Sequence, residues 1–200
     1  MLQRTDEWYE QRRGRFTASD IHRILGKEGL KATVKSIENI ALEKAIEQVY
    51  GLDQEVVLVS FDMQRGIELE PLAFQKFKSL KELDFVETKE CGFFKYEDHA
   101  GASPDGVVSD SSVLEIKCPK RNNFFNVKSK NLIDPKYFAQ MQMQMLCTGF
   151  DKCYYFTYTV IDAKELYHEI IIERDDKFIS FIKERIEHAI ELKKEFIKKI

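Results

Sequence analysis

Hydrophobic positions along the chain change their period about halfway. In the first half they recur at helical spacing. Ile21, Ile24 and Leu25 form a short stripe that Ser19 can cap and that ends near Gly26, and Asp6 can cap a still earlier helix. Ile37, Ile40, Ala41, Ala45 and Val49 make a longer stripe, opened by Thr33 and stopped by Gly51. Leu69, Leu72, Ala73, Phe77 and Leu80 make another. Pro71 either starts that helix or kinks a longer one.

The period then shortens. Phe93–Tyr96, Gly106–Ser109 and Val113–Cys118 read as short strands, with Asp110-Ser111-Ser112 as a hairpin turn. A polar, basic loop follows, and Pro135 precedes a helix over about Lys136–Leu146. Tyr154–Val160 and Leu166–Ile172 are β-branched and aromatic, hence strands. The chain closes on an amphipathic helix with Phe178, Ile182, Ile186, Ala189, Ile190 and Ile197 inward. This order predicts an α/β fold, a sheet core flanked by helices, in one domain over residues 1–200.

Composition adds little beyond an ordinary soluble class. Charge adds more. The net charge of −3 looks wrong for a nucleic-acid binder, but it is unevenly spread. Residues 1–35 carry 8 basic and 5 acidic side chains, residues 36–115 carry 7 and 17, and residues 116–136 carry 6 and 1. An acidic centre flanked by basic segments can hold a cation beside a polyanion. No apolar run is long enough to span a membrane, and the first residues lack the apolar core of a secretory signal, so a cytoplasmic protein is expected. The four cysteines form no CxxC pair and the four histidines no zinc-binding spacing, which leaves the thiols as reduced structural residues.

The chemistry gathers at Ser103-Pro104-Asp105-Gly106 and Leu114-Glu115-Ile116-Lys117. Strand alternation sends Leu114 and Ile116 to one face and Glu115 and Lys117 to the other. A hairpin centred on the 110–112 turn sets Asp105 opposite Lys117, one same-face step from Glu115. Two carboxylates and an ammonium at the edge of an apolar sheet are costly unless paired, and a hard divalent cation is a natural partner for the acids. Such a site suits phosphodiester hydrolysis, with Lys117 orienting water and offsetting developing charge. A solvated Glu115–Lys117 ion pair is the plainer alternative. Asp105 within a Pro-Asp-Gly turn and Glu115 inside an apolar strand tell against it.

Pro104-Asp105 with Glu115-Ile116-Lys117 resembles the PD-(D/E)xK nuclease signature. The flanking residues narrow the resemblance to the lambda exonuclease and YqaJ-like viral recombinase family. Trp8-x₃-Arg12-x-Gly14-x₂-Thr17-Ala18-Ser19, Gly66-x₃-Glu70, the Ser103–Gly106 core, Tyr137-x-Ala139-Gln140-x-Gln142 and Ile172-Glu173-Arg174-Asp175 follow in the family's order. The resemblance implies a restriction-endonuclease-like core with a mixed central β-sheet. It implies that Asp105, Glu115 and the Ile116 backbone carbonyl ligate Mg²⁺, with Mn²⁺ able to substitute. Lys117 would be the catalytic lysine, and Glu70 an outer-sphere or second-metal carboxylate, preferred to Glu68 on spacing. Gln140 matches the glutamine that the family uses near the scissile phosphate. Tyr137, Gln140 and Gln144 share a helix face, and Gln142 points elsewhere.

Arg12, Thr17, Ser19 and Ser103 resemble the family's pocket for the 5′-phosphate of a DNA end, a role that guanidinium and hydroxyl donors suit. Arg12 keeps the Trp-x₃-Arg spacing that Arg13 and Arg15 do not, and Trp8 is read as core. Lys120, Arg121, Lys128 and Lys130 with Phe124 and Phe125 form either a DNA-contacting loop or a solvated loop with both phenylalanines tucked inward. The implied activity is a Mg²⁺-dependent 5′→3′ exonuclease on double-stranded DNA ends in phage-type recombination. A homotrimeric ring, a single-strand annealing protein as partner and a phage or prophage origin in a bacterial cell come with it. A restriction-type or junction-resolving endonuclease, and an inactive DNA-end-binding protein of the same fold, are the alternatives.

Overall fold

The computed structural model describes residues 3–25, 34–51 and 60–200. In chain order the elements are α1 (Asp6–Arg12), β1 (Phe16–Thr17), α2 (His22–Leu25), α3 (Val34–Tyr50), α4 (Phe61–Glu82), β2 (Thr88–Lys89), β3 (Phe94–Tyr96) and β4 (Ala100–Ala102). There follow β5 (Gly106–Val108), β6 (Ser112–Lys117), α5 (Arg121–Lys130), α6 (Pro135–Thr148), β7 (Lys152–Ile161), β8 (Lys164–Glu173) and α7 (Asp176–Ile197). Five strands make a mixed sheet in the order β2-β5-β6-β7-β8, and β1-β4-β3 form a small second sheet. Only the β6–β7 pair in the larger sheet is parallel; its other pairs are antiparallel. The mixed sheet flanked by helices expected from the sequence is therefore the fold.

Packing follows the strand alternation. Leu114 and Ile116 of β6 bury against Ala73, Phe74 and Phe77 of α4, together with Tyr154, Phe156 and Tyr158 of β7. On the other face, Val113 and Cys153 pack with Met141 and Met145 of α6. A third core joins β1 and β4 to α2, α3, α6 and α7. Among the described residues no helix is long and apolar enough to cross a membrane.

Several local expectations are corrected. Thr5, rather than Asp6, caps α1 by accepting the Trp8 N–H, and Asp6 lies in the first turn. The Ser19 hydroxyl does not cap α2; it faces Thr17 and Arg12 instead. The ends assigned to Gly26 and Thr33 lie outside the described residues. Gly51 does follow α3, at φ 93°, but Val49 is exposed on that helix, as Leu72 is on α4. Pro71 sits inside α4, so the longer helix is the one formed.

The 120–130 segment is a helix rather than a loop, with Phe124 buried and Phe125 exposed. Its sequence, RNNFFNVKSK, has too few apolar positions to show a helical period. The β5–β6 turn closes over residues 109–111, with Ser111 at φ 63°, so Val108 pairs with Ser112 and Gly106 with Leu114. The Asp105 N–H donates to the Leu114 carbonyl at 2.9 Å. Asp105 therefore stands beside Glu115 and not opposite Lys117.

Candidate active site

Strand β6 is central to the sheet and presents Glu115 and Lys117 towards α6. Glu115 is 1 % exposed and its carboxylate is surrounded by donors. Lys117 Nζ and Gln140 Nε2, the latter at 2.8 Å, donate to Oε1, and Gln144 Nε2 donates to Oε2 at 2.5 Å. Gln140 and Gln144 reach it together because they lie one helical turn apart. Tyr137, Gln140 and Gln144 thus share the face of α6 turned to the site, and Gln144 is a site residue that spacing alone left unassigned. Gln142 is buried elsewhere, donating to the Glu173 carbonyl at 2.9 Å and accepting the Asp175 N–H at 2.8 Å.

Asp105 is half-buried at the start of β5, where Oδ2 accepts the Ile116 N–H at 2.7 Å. Burial, reinforced by the Glu115 charge, pushes the Asp105 carboxyl well above the usual carboxylate range. Burial works against the Lys117 ammonium, but Glu115 and Asp105 together outweigh it and hold the lysine above its ordinary value. The Tyr137 ring faces the same ammonium, with 4.9 Å from Nζ to the ring centroid.

Ile116 and Lys117 open into a cleft of about 990 Å³ between α4 and α5, lined also by Glu70, Arg65, Lys120 and Tyr137. Glu70 faces this cleft and accepts from Arg4 at 2.7 Å, whereas Glu68 accepts from Gln64 within its own helix. Arg65 fixes the strand end by donating to the Cys118 carbonyl at 2.9 Å. Cys118 also lines the cleft, but burial pushes its thiol up to about 12, which leaves no thiolate for chemistry at neutral pH.

The donor set suits a hard divalent cation. Two carboxylates share an apolar setting in which Asp105 resists ionisation, and a cation would relieve that strain. Among the described residues no group of three His, Cys, Asp or Glu side chains is placed to hold a metal ion.

Arg12, Thr17, Ser19 and Ser103 converge on a second cluster. Arg12 donates to Ser103 Oγ at 3.3 Å, Thr17 Oγ1 at 3.3 Å and Ser19 Oγ at 3.4 Å. Thr17 and Ser19 hydroxyls are 2.9 Å apart, and Thr17 donates to Asp20 Oδ2 at 2.9 Å. Trp8 is core, as expected, but it also shapes this cluster: its indole N–H donates to Ser103 at 2.8 Å, and its ring carries the Arg12 guanidinium 4.3 Å from the centroid. Burial lowers the Arg12 pKa despite Asp20 and Glu47 nearby. Arginine stays charged even so, and its long contacts to neutral hydroxyls leave it poorly neutralised, a setting that favours an anion. Ser103 joins the two clusters, since only Pro104 separates it from Asp105. The Pro104 carbonyl is held in turn by Gln3 at 2.6 Å and the Cys91 thiol at 3.2 Å.

A mixed sheet that brings an Asp at a strand start beside a Glu-x-Lys strand defines a nuclease of the PD-(D/E)xK class. The sequence pattern of the YqaJ-like viral recombinase domain matches residues 7–151. The alkaline exonuclease LHK-Exo from Laribacter hongkongensis is similar at 32 % identity and a TM-score of 0.82, covering 96 % of this chain and 94 % of its own. The same enzyme in complex with dAMP is similar at 31 % identity and a TM-score of 0.80, with the same coverage. A phage-related exonuclease from Haemophilus somnus 129PT shares the fold at 18 % identity and a TM-score of 0.66, covering 92 % of this chain and 96 % of its own. No curated protein matches the sequence. The chain belongs to the YqaJ-like viral recombinase family, and it is a deoxyribonuclease of the alkaline exonuclease kind.

Proposed function

We propose that this protein is a Mg²⁺-dependent exonuclease that degrades one strand of double-stranded DNA in the 5′→3′ direction from 5′-phosphorylated ends, in phage-type homologous recombination. The observation that carries the reading is the join between the two clusters. The Arg12, Thr17, Ser19 and Ser103 group lies a single residue from Asp105, so a terminal phosphate held there would bring the neighbouring phosphodiester to the acids.

Asp105, Glu115 and the Ile116 carbonyl would hold Mg²⁺, and Mn²⁺ would substitute. Glu70 would act from the cleft wall on a second ion or on metal-bound water. Bound there, the cation would supply Lewis-acid polarisation of the phosphate and a more acidic water. Lys117 would orient the attacking water and balance charge gathering on the phosphate. Gln140 would hold Glu115 from one side and offer its amide towards the scissile phosphate. Arg12 would grip the end phosphate through its fork of N–H donors, with Thr17, Ser19 and Ser103 adding hydroxyl contacts. The dAMP complex of the Laribacter enzyme supports a mononucleotide product. Kinship with that enzyme and the family resemblance extend the proposal to a homotrimeric ring, a single-strand annealing partner and a cytoplasmic setting in a phage-bearing bacterial cell.

The test is degradation of linear duplex DNA with Mg²⁺, comparing 5′-phosphate with 5′-hydroxyl ends and using covalently closed circles as the control. Faster loss of phosphorylated linear DNA with circles intact is the expected result. Cut circles would move the reading to an endonuclease, and no cleavage with Mg²⁺ or Mn²⁺ would leave an end-binding protein.

A further inference from the structure

The turn that carries Arg12 towards Thr17 is gripped from beneath by buried charges that the chemistry above does not use. Lys193 of α7 is 1 % exposed and donates Nζ to the Gly14 carbonyl at 2.5 Å. Glu47 of α3 takes the other side of the same residue, accepting the Gly14 N–H at 3.1 Å. Lys44, also buried, donates to Glu47 at 2.7 Å and stands 3.8 Å from Asp20 Oδ2. That oxygen is the one that accepts from Thr17. Gly14 itself has φ +65°, and a Cβ there would meet the Gln48 Cβ at 2.8 Å, so the turn lies directly on α3.

Packing alone does not call for this arrangement. The Lys193 ammonium is paired with a neutral carbonyl, with His99 Nδ1 3.5 Å away, and burial lowers its pKa to about 8. An apolar side chain at the same place would fill the α3–α7 interface without desolvating a charge. What the charges add is fixed geometry: both polar groups of Gly14 and the carboxylate that orients Thr17 are tied to two long helices.

We propose that Lys193, Glu47 and Lys44 are positioning residues that set the spacing between Arg12 and the Thr17–Ser19 hydroxyls, and so the selectivity of the pocket for a terminal phosphate. This rests on the reading of that pocket as the 5′-phosphate site. Arg12 meets Thr17 and Ser19 only through contacts of 3.3 and 3.4 Å, so their spacing follows the turn between them, and a misplacement of about 1 Å can change a rate by up to about 100-fold.

The experiment measures equilibrium binding of a blunt hairpin duplex, with a 5′-phosphate or a 5′-hydroxyl at its single end, in EDTA. Wild type, Lys193→Met and Glu47→Gln are compared, with the melting temperature of each recorded. Wild type is expected to bind the phosphorylated end more tightly, and both variants to lose that advantage by about 5- to 100-fold. Equal weakening of both ends would reduce the cluster to a scaffold and overturn the proposal, as would a full phosphate advantage in folded variants. If Lys193→Met does not fold, Glu47→Gln decides alone. A wild-type protein indifferent to the phosphate would instead overturn the pocket assignment on which the proposal stands.

Discussion

Gln144 donates its side-chain amide to Glu115 Oε2 at 2.5 Å, from a position on α6 that no solvent reaches. Its own Oε1 is buried with no partner among the described residues, so the amide is committed to the carboxylate rather than shared in a network. Groups that orient a metal-binding carboxylate act on affinity and rate together. Gln144→Met, close in volume, is expected to lower cleavage by about 10- to 100-fold and to raise the Mg²⁺ concentration needed for half-maximal rate. A Mg²⁺ titration of both proteins checks this; an unchanged titration curve would make Gln144 a packing residue.

Lys117 is expected to matter for cleavage and little for holding an end. Lys117→Ala should slow hydrolysis by about 10²- to 10⁴-fold, the usual range for a proton-transfer or water-orienting group. Binding of a phosphorylated duplex end should persist, since the Arg12 cluster is built from other residues. Single-turnover cleavage and a gel-shift on the same samples separate the two effects.

Arg12→Ala should act in the opposite sense. Charge-assisted hydrogen bonds to an anion contribute roughly 1.5–3 kcal/mol, so the advantage of phosphorylated over hydroxyl ends should fall by about 10-fold or more. Equal slowing of both kinds of end would remove Arg12 from the pocket.

Asp105 offers a stability test free of any catalytic assay. Its carboxyl is raised by burial and by Glu115, so its contribution to folding is present at low pH and lost as pH rises through the raised value. In EDTA, Asp105→Asn is therefore expected to melt above wild type at about pH 8, with the difference closing in acid as both side chains become neutral. Divalent cation should stabilise wild type and leave the variant unmoved.

Lys193 gives the converse pH dependence. Burial lowers it to about 8, below the ordinary 10.5, so between these values the unfolded chain binds more protons than the folded one. Stability should accordingly rise with pH across that window. Thermal melts of wild type and Lys193→Met from about pH 7 to about pH 10 isolate the effect as a difference that disappears in the variant.

The long elements and the acids were legible because their patterns are strong. The inward stripe of α7 from Ile182 to Ile190 and the alternation of β6 survive in the structure, whereas Pro104-Asp105-Gly106 is a bend that runs straight into β5 rather than a turn. Register was misplaced because it hangs on a three-residue turn with Ser111 in the left-handed region, which an Asp-Ser-Ser sequence does not announce. The two- and three-residue strands β1, β2 and β4 are too short to show a period. Lys44 and Lys193 do not stand out among the many helix charges of the sequence, although a signal is present. Lys44 follows Ile40 and Ala41, and Lys193 follows Ala189 and Ile190, at the spacings that place each on its helix's buried stripe. A charge on such a stripe is a reason to look for its partner.

The short link Ser103-Pro104-Asp105 has a metric meaning. Two residues of extended chain span at most about 7 Å, close to the step from one phosphate to the next along a DNA strand. Because proline stiffens the link and its carbonyl is tied down by Gln3 and Cys91, that length has little freedom to vary. A strand gripped at Ser103 and cut at Asp105 would be measured out by the polypeptide itself, one nucleotide to the gauge, so that product size becomes a property of backbone geometry.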